Sequence, residues 1–184
     1  MFLLDLIEKK PYLDKLVKKI SLIFLLLILF IFQIGLAQEK TKIKIERAGF
    51  FEKDKIKYPD ASVLTRDSKN QVLISHDGVL MSCNQAFFYE ENNFIEAYGD
   101  VVLKQGDTLD LEANFIEYNG DSRIILAKGN VILNEPESKL YTESLSFDRN
   151  KQEGYYTNNG KLIRNSTDTI ISVIGTFYAE EKKY

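Results

Sequence analysis

Leu109-Asp110-Leu111-Glu112-Ala113-Asn114-Phe115-Ile116-Glu117-Tyr118, followed by the turn Asn119-Gly120-Asp121, the segment from Arg123 to Lys128, Gly129 and the segment from Asn130 to Leu133, is the stretch that decides the fold. Leu109, Leu111, Ala113 and Phe115 alternate with Asp110, Glu112 and Asn114, the period of a strand with one apolar and one wet face. Counted from Thr108, the unit reads as three short strands separated by turn residues. Gly129 stands between two of them, where a glycine marks a bend, a bulge or a positive φ.

Working outward, the same block occurs four times. Its tag is Asn70-Gln71-Val72-Leu73-Ile74, Gly99-Asp100-Val101-Val102-Leu103, Gly129-Asn130-Val131-Ile132-Leu133 and Gly160-Lys161-Leu162-Ile163-Arg164, with starts 29, 30 and 31 residues apart. A second tag, an apolar strand pattern ending in aromatics, keeps that spacing from Val79 to Tyr89, Leu109 to Tyr118, Leu140 to Phe147 and Ile170 to Tyr178. A period in this range means stacked units that share one continuous core. The connecting turns, such as Glu91-Asn92-Asn93, Gln105-Gly106-Asp107 and Arg149-Asn150-Lys151, are too short for parallel crossovers, so neighbouring strands are expected to be antiparallel. Bends repeated at one place in each unit fold every rung the same way and close the sheet upon itself. A partial rung precedes the first tag, with residues 42–51 as a strand and Tyr58-Pro59-Asp60 in a turn. At the other end, residues 169–178 read as a last strand without a cap. Its Ile170, Ile171, Val173 and Ile174 form a candidate association edge that Lys182 and Lys183 protect only weakly.

Lys15, Lys18 and Lys19 precede a run from Ile20 to Leu36 that is apolar except for Ser21, Gln33 and Gly35, and that closes on Gly35-Leu36-Ala37. Small residues at the −3 and −1 positions of a cut after Ala37, Gly35 and Ala37, make residues 1–37 read as a secretory leader. The alternative is an uncleaved signal anchor, although a helix of this length, at about 1.5 Å per residue, falls short of a hydrocarbon core of about 30 Å. Either way the repeats are exported. The remaining residues 38–184 are enough for one domain. They carry 19 basic and 24 acidic groups, a net charge of −5 with no basic stripe, which argues against a nucleic-acid partner.

The sequence signals no catalysis. His76 lies between Ser75 and Asp77, but neighbours along a strand point in different directions and do not line up nucleophile, base and orienter. With one His, one Cys, no HExxH and no EF-hand loop, neither a metal site nor a cofactor is signalled. Asp and Glu lie at turns and on the polar strand face, as a solvated surface does. Cys83 continues the alternation of Val79 and Met81 and reads as a small buried apolar residue. Asn165-Ser166-Thr167 matches a glycosylation acceptor but falls in an expected turn, where such residues are common.

Asp77-Gly78-Val79-Leu80-Met81-Ser82-Cys83, Glu96-Ala97-Tyr98-Gly99-Asp100-Val101, Gln105-Gly106-Asp107-Thr108-Leu109 and Gly129-Asn130-Val131, in that order, resemble the OstA-like (organic solvent tolerance) family. That family is related to the periplasmic LptA-type proteins of lipopolysaccharide transport. The resemblance covers roughly residues 40–184. It implies an all-β, folded-over antiparallel β-jellyroll whose two sheets enclose an apolar groove, filled in the family by the acyl chains of lipid A. It implies a periplasmic location, or an inner-membrane anchor if residues 20–36 are not cleaved. It also implies head-to-tail pairing of sheet edges, between copies or with inner- and outer-membrane transport proteins that carry jellyroll domains. On that reading Val79, Met81, Leu109, Leu111, Phe115 and Val131 are the candidate lipid-binding residues, chosen for inward alternation. An apolar inner face serves equally well as a closed core, so an exported structural β-repeat without a lipid ligand is the alternative. An exported β-solenoid carbohydrate enzyme ranks third, because no acidic cluster is visible.

Overall fold

Period-two alternation becomes fourteen strands among the residues that the computed structural model describes, 17–24, 41–165 and 168–179. In chain order they are β1 Lys44–Arg47, β2 Phe50–Glu52, β3 Ser62–Thr65, β4 Val72–His76, β5 Val79–Cys83, β6 Gln85–Tyr89, β7 Phe94–Gln105, β8 Leu109–Asn119, β9 Ile124–Asn134, β10 Ser138–Asp148, β11 Glu153–Tyr156, β12 Gly160–Arg164, β13 Asp168–Ser172 and β14 Gly175–Tyr178. Their pairings are all antiparallel, as the short turns require.

The long strands β7 to β10 bend in the middle, and their pairing slips there, between Tyr98 and Val101, Glu112 and Phe115, and Thr142 and Ser144. The halves belong to two layers. Sheet I runs β1-β4-β5, then segments 101–105, 109–113, 131–134 and 138–142, then β12-β13. Sheet II runs β2-β3-β6, then segments 94–98, 115–119, 124–128 and 144–148, then β11-β14. One sheet is thus folded over along a crease that the chain crosses at every rung, with the hairpin turns of both layers on the opposite side, the mouth. This is the jellyroll expected from the sequence.

The crease follows from local chemistry. Gly99 and Gly129 have φ of +73° and +77° and precede Asp100 and Asn130, also left-handed at 46° and 51°. A Cβ on either glycine would lie 2.8 or 2.9 Å from the side-chain amide nitrogen of Asn84 or Asn114, so backbone conformation and space both demand glycine. At the last tag the left-handed residue is Asn159, at φ 56°, and Gly160 instead makes room for the Tyr156 ring. At the mouth, Asn119 Oδ1 accepts the amides of Asp121 and Ser122 at 3.0 and 2.8 Å, and Asp148 Oδ1 accepts those of Asn150 and Lys151 at 2.9 and 3.2 Å. These side-chain-closed turns recur with the repeat.

The folding-over changes several expected boundaries. The segments on either side of Gly129 are one bent strand, β9, and Arg123 belongs to the turn before it. The strand expected over 42–51 divides at Ala48-Gly49 into β1 and β2, and the one expected over 169–178 divides at Val173-Ile174 into β13 and β14, because at both places the chain passes between layers. Residues 17–24 are helical. The rest of the expected leader, with its cut after Ala37, lies outside the described residues. Among those described, no helix is long and apolar enough to cross a membrane.

Candidate functional site

The inner faces of the two sheets meet in one continuous buried apolar cluster. Val79, Met81, Leu109, Leu111 and Val131 all lie in it, on sheet I, none more than 3% exposed. Ile95, Ile116, Ile125 and Phe147 form the facing wall from sheet II. Phe115 does not line this interior. The slip at the crease interrupts the alternation after Ala113, so that Ile116 and Tyr118 turn inward and Phe115 turns out. There its ring packs against Tyr98 at 4.7 Å between centroids, with Lys128 Nζ 5.6 Å from the ring centre.

The mouth is polar where turns of the two layers come together. Arg149, on the β10–β11 turn of sheet II, donates through Nη1 to the Tyr118 hydroxyl at 2.7 Å, through Nε to Gln105 Oε1 at 3.1 Å and through Nη2 to the Asp77 carbonyl at 2.9 Å. Tyr118 Oη lies 2.6 Å from His76 Nδ1, and His76 Nε2 lies 3.1 Å from the Thr41 carbonyl oxygen. The Thr41 hydroxyl lies 3.0 Å from the same Nε2; because the carbonyl can only accept and the Tyr118 oxygen already accepts from Arg149, a proton on Nε2 is the arrangement that lets Tyr118 donate to Nδ1. Arg123 pairs with the Asp77 carboxylate at 2.7 Å. Burial, before any other cause, holds the His76 pKa below its ordinary value and pushes that of Tyr118 up. Ser75 bonds Glu46 instead of His76, so the three neighbours 75–77 serve separate partners. Cys83 is fully buried, and burial pushes its thiol up to about 12.

Among the described residues β13 pairs only with β12, and β14 only with β11. Ile170 and Ile171 lie on β13, 55% and 75% exposed. Val173 and Ile174 are also exposed but sit at the crease crossing, where the Val173 carbonyl accepts the Asn159 amide at 3.0 Å.

The profile of the OstA-like protein family matches residues 40–184, from before β1 past the last described strand. The chain belongs to the OstA-like family. No curated protein matches it in sequence. A solved structure that it resembles is LptH from Pseudomonas aeruginosa, described as the LptA homologous periplasmic component of the conserved lipopolysaccharide transport device. The identity is 14% and the TM-score 0.49, over 58% of this chain and 75% of that one.

Sequence reading missed two parts of this OstA-like chain. Asn84 and Asn114 make the crease bends that alternate with the glycine ones, and their spacing of 30 residues was the available signal. The mouth residues Tyr118, Arg149 and Gln105 carry no local signal, since their partners lie 31 to 72 residues away in sequence.

Proposed function

We propose that this protein is an exported lipopolysaccharide-binding component of lipopolysaccharide transport, which carries lipid A acyl chains between its two sheets and passes them on without catalysis. The observation that carries the reading is the match to the OstA-like family over the whole folded-over sheet, whose inner faces form one uninterrupted apolar layer. Each methylene moved from water into such a layer gains about 0.8 kcal/mol, so several acyl chains bind strongly without polar contacts. Val79, Met81, Leu109, Leu111 and Val131 would form one wall of that site. The periplasm and the jellyroll domains of membrane-bound transport proteins are the location and partners that go with this role, and residues 1–37 would be the leader or anchor that exports it.

A photo-crosslinking residue placed at Met81, at Leu111 or at the partly buried Leu162 in cells tests the reading, with a lipopolysaccharide adduct expected. One observation favours the second reading, a structural repeat with a closed core: Leu111, Leu133 and Phe147 are completely buried by the protein's own side chains. Absence of an adduct from all three positions in exported, folded protein would leave that second reading.

A further inference from the structure

We propose that Arg149, Tyr118, His76, Asp77 and Gln105 form a latch across the mouth of the folded-over sheet, and that release of this latch is how an apolar chain reaches the interior. The inference rests on the reading of the interior as an acyl-chain site and adds the side from which it loads.

The two sides of the sandwich are joined by different means. Along the crease the polypeptide itself passes from one layer to the other at every rung, so the layers cannot part there without breaking strands. At the mouth, the backbone bonds between turns run along a single layer. Gly120 donates to the Asn93 carbonyl at 2.8 Å and Arg149 to that of Arg123 at 3.2 Å within sheet II, and Asn165 donates to Glu137 at 2.9 Å within sheet I. Among the described residues the bonds from layer to layer are made by side chains: the two that Arg149 donates to Gln105 and to the Asp77 carbonyl, the Tyr118–His76 bond and the Arg123–Asp77 pair, while the Arg149–Tyr118 bond braces them within sheet II. Asn93 adds a strap, since it accepts from the Ile43 amide at 2.8 Å and donates to the Thr41 carbonyl at 3.1 Å, with Thr41 in turn held by His76. A fold hinged by its chain on one side and fastened by side chains on the other opens at the fastened side. The interior is already filled, so an acyl chain enters only when the layers separate.

The latch is also built to act as a unit. Arg149 gives to Tyr118, Tyr118 gives to His76 and His76 gives to Thr41, each group satisfying the next. No buried side-chain polar atom among the described residues is left without a partner. Loss of one member strands its neighbours in a buried setting, so the network is closed as a whole or released as a whole.

The test uses the full chain and N-phenyl-1-naphthylamine, a dye that fluoresces in apolar surroundings. Arg149→Met should take up the dye at least about tenfold faster than the parent. Amide exchange should rise in turns 76–79 and 118–123 while the crease amides around Gly99 and Gly129 stay protected. As a second arm, the double variant Asp77→Cys with Arg123→Cys, its two new thiols joined by a short bismaleimide, should be blocked in uptake compared with the same variant capped at each thiol by N-ethylmaleimide. The buried Cys83 takes no part. Equal uptake by clamped and capped protein, or exchange that rises equally at crease and mouth in Arg149→Met, would reduce the network to a structural stitch and overturn the latch. If the dye results hold but purified lipopolysaccharide binds neither parent nor Arg149→Met, the latch stands and the acyl-chain reading falls. If lipopolysaccharide binds clamped and capped protein equally fast, the latch falls as the way in and the acyl-chain reading stands.

Discussion

Tyr118 places one hydroxyl between the two layers, donating to His76 Nδ1 and accepting from Arg149 Nη1. Tyr118→Phe keeps the ring that meets the His76 ring edge-on at 5.5 Å but leaves a buried donor and a buried acceptor without partners. The expected loss is about 1–3 kcal/mol, read as a lower urea midpoint with an unchanged slope. His76 must stay neutral for Nδ1 to accept. Burial, assisted by the charges of Arg149 and Arg123, keeps its pKa below 6.5, against the opposing pull of the Thr41 carbonyl and of Asp77. The folded protein therefore takes up this proton less readily than the unfolded chain. Stability is complete above the unfolded value near 6.5 and is lost as pH falls from there through the lowered folded value. The urea midpoint should decline between about pH 7.5 and about pH 5.5, and less steeply in His76→Gln, where nothing titrates at that position. Equal slopes in the two proteins would assign the dependence to other groups.

The bends of the long strands put different demands on two left-handed glycines. Gly129→Ala places a methyl group at φ +77° and 2.9 Å from the Asn114 amide nitrogen, whereas Gly78→Ala, at φ +76°, meets nothing within 4 Å. The first should cost about 2–4 kcal/mol and the second only the backbone share of about 1–2 kcal/mol. Denaturation of the two variants side by side checks this, and equal losses would mean that Asn114 moves aside freely. The same bends explain what was legible in the sequence. The thirty-residue period, the antiparallel pairing and the glycine creases could be read because glycine and short polar turns are restrictive signals. The bends at Asn84 and Asn114 keep the same period but are easily passed over, because asparagine on a wet strand face looks like any solvated residue. That omission carried the alternation one step too far and turned Phe115 inward, when the slip between Glu112 and Phe115 exchanges the faces. The mouth was illegible for another reason: His76 and Tyr118 are 42 residues apart, and Arg149 and Asp77 are 72 apart, distances that only the folded-over topology closes.

For the whole molecule the decisive feature is that each end of the array stops in two strands, one per layer, each without an outer partner among the described residues: β1 and β2 at one end, β13 and β14 at the other. Such edges are templates for strand addition. In the transport role proposed above, the β13 and β14 end of one copy would pair with the β1 and β2 end of the next, a heterologous contact that extends into a string where the rotation does not close. The same edges would receive a partner's jellyroll domain. Val173→Pro is a poor probe, since that residue sits at the crease between β13 and β14, and the donor it would remove belongs to neither strand. Ile170→Lys with Ile171→Lys charges the open strand at side chains that are 55% and 75% exposed, so each change should alter stability by no more than about 0.5 kcal/mol. Light scattering over a concentration series should show the parent growing in mass while the double variant stays monomeric at an unchanged urea midpoint. Mixing then gives the direction of assembly. The variant keeps its β1 and β2 end intact, so in a head-to-tail string it still caps the β13 and β14 end of a parent copy, and mixed pairs form. If the parent instead joins through two β13 and β14 ends, the variant finds no parent edge to bind, and the mixture contains parent assemblies and free variant only.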